Sequence, residues 1–107
     1  MDKQSSYIVG QIVFSKAGKD KGQPYLIAHV DDTSLWLIDG KLRVLAKPKH
    51  KKMIHVSKTN HVTALGEKLQ VVYNPSFDQA QANKLMLKDS DIRAEIKQCL
   101  LPESKPL

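Results

Sequence analysis

Residues 8–30 read Ile8-Val9-Gly10-Gln11-Ile12-Val13-Phe14-Ser15-Lys16-Ala17-Gly18-Lys19-Asp20-Lys21-Gly22-Gln23-Pro24-Tyr25-Leu26-Ile27-Ala28-His29-Val30. Two short apolar runs, 8–14 and 25–30, flank a polar loop that carries lysines and two glycines. Both runs are short and rich in Ile and Val, so each reads as a strand rather than a helix. Working outward, Asp31-Asp32-Thr33-Ser34 is a turn and Leu35-Trp36-Leu37-Ile38 a third strand. Asp39-Gly40 is a hairpin signal, because a tight primed turn needs φ > 0 at its central residues. Leu42-Arg43-Val44-Leu45 then reads as the return strand, and Met53-Ile54-His55-Val56 as a fifth. Short strands punctuated this regularly predict a small antiparallel β-barrel.

The second half changes character. Ser76-Phe77-Asp78-Gln79 has capping-box spacing and predicts a short helix over 77–85. Asp89-Ser90-Asp91 supplies a cap and early acid for a final helix. Its apolar face is Ile92, Ile96, Cys99 and Leu100, and Pro102 ends it. Cys99 on that stripe reads as a small buried hydrophobe. The tail from Glu103, with Pro106, reads as loose. We expect one domain, in which residues 1–58 form the barrel and 59–107 an extension with one or two short helices packed on it.

A chain of 107 residues suffices for one modest core. Residues 1–6 show no apolar signal region, and no apolar run nears the roughly 20 residues of a membrane helix. The single cysteine excludes an internal disulfide and a cysteine-rich zinc site. These features predict a soluble, cytoplasmic chain with no membrane partner.

Charge is more specific. Residues 1–58 hold eleven basic and five acidic side chains, whereas residues 59–107 hold six of each, so the whole net charge of +6 lies in the first half. Such asymmetry favours an anionic partner on one face, although basic runs also serve simply as solubilising surface. Two clusters stand out. Lys16, Lys19 and Lys21 surround Gly18 and Gly22, and glycines let backbone approach a ligand while lysines offer charge to phosphates. This is no P-loop, since the closing Lys-Ser/Thr pair is missing. Lys41, Arg43, Lys47, Lys49, Lys51, Lys52 and Lys58 follow with no acid between them. The segment 47–52 reads as a loop or strand edge, and on a barrel the two clusters could share one basic face.

Other chemistry finds less support. His50, His55 and His61 lack the spacing and the cysteine or carboxylate partners of a zinc site, so no metal is expected. His29 and His55 read as half-buried strand residues. No nucleophile elbow or His-Glu-x-x-His pair occurs, and Asp31-Asp32 read as solvated turn residues. The chain is therefore expected not to be an enzyme and to need no cofactor. Trp36, flanked by leucines, reads first as core and second as a surface for stacking an unpaired base.

The stretch Val9–Gly22 resembles the KOW motif, in which a strand leads through a basic, glycine-containing loop to a second strand. A closer likeness is to bacterial KOW-domain proteins related to a large-subunit ribosomal protein family of the archaeal and eukaryotic type. Lys41-Leu42-Arg43, the Lys-Pro-Lys-rich segment 47–52 and Asp91-Ile92-Arg93 carry it. The likeness is good over 7–58 and weak over 59–107. It implies an SH3-like barrel with a C-terminal helix that binds structured RNA, ribosomal RNA above all, near the ribosome and its proteins. It implies no catalysis. Pro24-Tyr25 stand where many KOW motifs carry another glycine, which places the expected contact at Lys16, Gly18, Lys19, Lys21, Gly22 and the downstream run Lys41, Arg43, Lys47, Lys49, Lys51, Lys52. A monomer is expected. A protein-interaction module on the same barrel is the alternative, because fold does not fix function.

Overall fold

The computed structural model describes residues 7–73 and 87–100. In chain order these form β1 (Gln11–Ser15), β2 (Pro24–Val30), β3 (Ser34–Ile38), β4 (Lys49–Lys52), a 3-10 turn (Met53–His55), β5 (Val56–Val62), α1 (Gly66–Val72) and α2 (Asp89–Leu100). The fold is mainly β, with one antiparallel five-stranded sheet in the order β4-β3-β2-β1-β5.

The central strands are apolar at nearly every position because both faces of the sheet are covered. Alternation sends Val13, Tyr25, Ile27, Leu35, Leu37 and Val56 to one face, where they pack together with Met53 and Tyr7. The intervening Ile12, Leu26, Ala28 and Ile38 face the other way, onto Leu69 of α1 and Ile92 and Ile96 of α2. Residues on both sides of position 58 therefore share one core, and β5 runs through that position.

The sheet cannot be flat. β4 and β5 are its two edges, yet only the 3-10 turn joins them. Four strand spacings would separate flat edges by roughly 19 Å. The chain from Lys52 to Val56 spans at most roughly 14 Å even when extended. The sheet must therefore roll up to bring its edges toward each other. Register shifts in β1 between Gln11 and Val13, and in β2 between Ile27 and His29, supply the local bending. Lys16 N–H donates to His55 O (2.9 Å) and Met53 N–H to Thr33 O (3.0 Å), anchoring the link at both ends. The edges are not hydrogen-bonded to each other, so the roll stays open.

The expected return strand at 42–45 does not form. Asp39 instead caps its own turn, its Oδ1 accepting from the backbone N–H groups of Lys41 and Arg43 (both 2.9 Å). Three further backbone groups of the loop bond to the helices or their ends. Leu45 N–H donates to Asp89 Oδ1 (2.7 Å), Tyr73 Oη–H donates to Leu45 O (2.7 Å), and Arg93 Nη1 donates to Gly40 O (2.6 Å). Burial first, and then the Asp89 charge, push the Tyr73 phenol up to about 12. Leu42 is left 88% exposed. β4 is instead the lysine-rich segment, which carries no apolar residue that would signal a strand. Met53–His55 of the expected fifth strand form the 3-10 turn, and the strand itself starts at Val56.

The final helix forms where its periodicity places it, with Ile92 and Ile96 buried and Cys99 half-buried against the same core. Burial raises the Cys99 thiol pKa. Leu100, at the end of the helix, is not buried with them and stays 47% exposed. The other helix, α1, was not expected. It has no side-chain cap, opens on a glycine and buries only Leu69. The helix expected over 77–85, and the tail from Pro102, lie outside the described residues. His29 and His55 are exposed rather than half-buried. No helix among the described residues is long and apolar enough to cross a membrane.

Candidate nucleic-acid interface

The glycine loop between β1 and β2 is built around its one acid. Asp20 is the only carboxylate between Lys3 and Val30. Its Oδ1 accepts from Ser15 Oγ (2.8 Å) and from Lys51 Nζ (3.2 Å), and its Oδ2 accepts from Tyr25 Oη (2.8 Å). Lys49 Nζ lies 3.4 Å from Oδ2. Lys51 also donates to Ala17 O (3.1 Å). One carboxylate thus ties the loop to its own strands and to β4.

The side chain of Asp20 is only 15% exposed. Burial alone would raise its pKa. Hydrogen bonds from Ser15, Tyr25 and Lys51, together with the charge of Lys49, outweigh that and hold the carboxyl well below the usual range. Tyr25 shifts the opposite way, raised by burial and by the carboxylate it serves.

This clamp places the two basic clusters side by side. Lys51 Nζ stands 3.8 Å from where a side chain on Gly18 would begin. An open groove of about 610 Å³ runs between the glycine loop and the turn at 39–43, lined by the cations Lys19, Arg43, Lys49 and Lys51, the carboxylates Asp20 and Asp39, and Gln23, Tyr25 and Leu42. A hollow open to solvent in this way does not enclose a small molecule. A second hollow, lined by Lys41, Arg93 and Lys97, adjoins it through the shared residues Gln23 and Asp39.

The site residues named from sequence fall into two groups. Lys16, Lys19, Lys21, Lys41, Arg43, Lys47 and Lys52 are exposed. Gly18 and Gly22 form the loop's turns, with Lys21 N–H donating to Gly18 O (3.2 Å) and Gly22 N–H to Ser15 O (2.7 Å). Lys49 and Lys51 differ. Their side chains are 24% and 11% exposed and are engaged by Asp20. They are built into the clamp, so the charge offered outward belongs mainly to the exposed group. Sequence reading missed Asp20 as organiser. An acid isolated among lysines and glycines was the available signal.

Trp36 is neither fully core nor fully surface. It is half-buried against the helix-side core, and its Nε1–H donates to Asp31 Oδ2 (3.3 Å) at the surface. Among the described residues, no three His, Cys, Asp or Glu side chains gather as metal ligands. Comparison with protein-family models and with curated proteins finds no match.

Proposed function

We propose that this chain binds structured RNA, with ribosomal RNA as the expected target, on an SH3-like β-barrel of the KOW type. The proposed setting is the cytoplasmic translation machinery, and the role is binding without catalysis. Strand order supports the barrel reading, since the two edge strands are joined by a link too short for a flat sheet. The observation that supports the function is the Asp20 clamp, which holds the glycine loop against β4 beside a groove that Lys19 of one basic cluster and Arg43, Lys49 and Lys51 of the other line. A pre-ordered cationic groove binds phosphate with little ordering cost. Lysine-dominated contact of this kind positions a backbone rather than reading bases.

The test is affinity for a structured RNA hairpin across a salt series. If about five phosphates are neutralised, the log-log slope is roughly −3 to −5. Lys19→Ala/Lys21→Ala and Lys41→Ala/Arg43→Ala each weaken binding and flatten the slope, by about one per cation removed. Lys68→Ala/Lys88→Ala in the charge-neutral half serves as control. A slope near zero, or equal loss in the control, overturns the reading. One observation favours a protein partner as the second reading: Leu42 stands 88% exposed at the rim of the groove. Binding that Leu42→Ser abolishes but salt leaves unchanged would mark that case.

A further inference from the structure

We propose that His29, Trp36 and His50, a row crossing three adjacent strands, form a stacking platform for an unpaired nucleobase, with Lys52 beside it for the adjoining phosphate. The proposal rests on the RNA-binding reading and adds to it a second contact, on the opposite side of β4 from the clamp.

Register creates the row. His29 of β2 pairs with Trp36 of β3, and Trp36 pairs with His50 of β4. Directly paired residues project to the same face, with Cβ atoms about 5 Å apart. The Trp36 and His50 rings lie 4.4 Å apart between centroids, tilted by 31°. The tilt is nearer to face-to-face contact than to an edge-on one. On the other side Asp31 Oδ2 accepts from the indole Nε1–H (3.3 Å), and its Oδ1 lies 3.6 Å from His29 Nε2. The Trp36 indole is thus tied to Asp31 before any ligand arrives.

The row is also open. His29 and His50 are exposed, whereas Ile38, two residues along β3 from Trp36, is fully buried beneath the helices. A base laid on the outer imidazole would extend an existing two-ring stack and cover aromatic surface now in water. Stacking of this kind tolerates any base, since each has a π-face. It does require that the base be unpaired, because a duplex hides its faces.

Charge gives the site a direction. Alternation along β4 turns Lys49 and Lys51 to Asp20 and leaves His50 and Lys52 exposed on the other face. Lys52 pairs with Ser34, so it emerges one step along the same face from Trp36. Asp31, bonded to Trp36 and close to His29, and Asp32 beside it carry negative charge on the β2 side of the row and disfavour phosphate there. The backbone of a bound strand therefore passes on the Lys52 side.

Trp36 is the chain's single tryptophan, so its fluorescence reports on the row directly. The probes are a short oligoadenylate, a blunt RNA duplex and inorganic polyphosphate, titrated into the full chain. Oligoadenylate is expected to quench Trp36, and polyphosphate to leave it unchanged. His50→Ala removes an exposed ring, and its melting temperature checks that the fold is kept. It is expected to lower oligoadenylate affinity about fivefold or more, the lower end of measured base–aromatic stacking, and to leave duplex affinity unaltered. Equal quenching by polyphosphate, or equal loss for duplex and single strand in His50→Ala, overturns the platform. Salt-dependent duplex binding without quenching by oligoadenylate overturns the platform and leaves the RNA-binding reading standing. Absence of binding to either RNA overturns both.

Discussion

Asp20→Asn tests whether the carboxylate holds the basic face together. In the native chain Asp20 accepts hydrogen bonds from Ser15, Tyr25 and Lys51 and faces Lys49, while only 15% of its side chain is exposed. Asparagine keeps the shape but removes the charge. It also leaves Lys51, 11% exposed, without a counter-ion. Removing one partner of a buried ion pair costs about 3–5 kcal/mol, and a single hydrogen bond to a charged group contributes about 1.5–3 kcal/mol. Water reaches Lys49, whose side chain is 24% exposed, and screens part of the loss. We therefore expect about 2–4 kcal/mol of destabilisation. For a domain of this size that lowers the melting temperature by roughly 10–20 °C.

The variant should also change the response to acid. Asp20 has its pKa depressed in the folded chain, so its stabilisation is complete above the unfolded carboxylate value near pH 4. The stabilisation is then lost as pH falls below that value. Thermal melts from pH 7 down to pH 2 should show the native chain losing stability more steeply below pH 4 than Asp20→Asn. A melting temperature within about 2 °C of native at neutral pH, or parallel acid profiles for the two proteins, would refute the reasoning.

Two further predictions concern packing. Ile96→Ala should cost about 2–4 kcal/mol by denaturant unfolding, whereas Leu100→Ala should cost under about 1 kcal/mol, because Ile96 is buried on the sheet and Leu100 is 47% exposed. Gly40→Ala should cost at least about 2 kcal/mol, since φ is +79° and a methyl group would collide with the Asp89 carbonyl and the Arg93 side chain. Gly22→Ala, with φ +89° but open space around it, should cost only about 1 kcal/mol, and equal melting temperatures for the two would contradict the packing described.

The legible parts of this fold are those where burial imposes a pattern. β1, β2 and β3 are covered on both faces, so their apolar runs mark them, and Ile92 and Ile96 mark α2 by helical spacing. β4 was only half legible, as a loop or strand edge, for the opposite reason. Lys49-His50-Lys51-Lys52 is an edge strand held by a ladder to β3 and by ion pairs with Asp20, none of which leaves a hydrophobic signature. Leu42-Arg43-Val44-Leu45 has strand composition, but its backbone groups are taken by Asp39, Tyr73 and Asp89. Two of those partners lie far along the chain, where local reading cannot find them. The same limit applies to the candidate site. Lysine and glycine content pointed to both loops. That a lone aspartate joins them depends on the fold bringing β4 alongside the β1–β2 loop.

The alternation along β4 has a consequence for how the strand finds its place. Edge strands rich in polar residues are prone to slip, because no buried face penalises an offset. Here a slip of one residue would carry His50 and Lys52 toward Asp20 and swing Lys49 and Lys51 onto Trp36. Both the ion pairs and the ring stack would be lost together. Each side of the strand thus proofreads the other, and four residues without a single aliphatic side chain keep a unique alignment against β3.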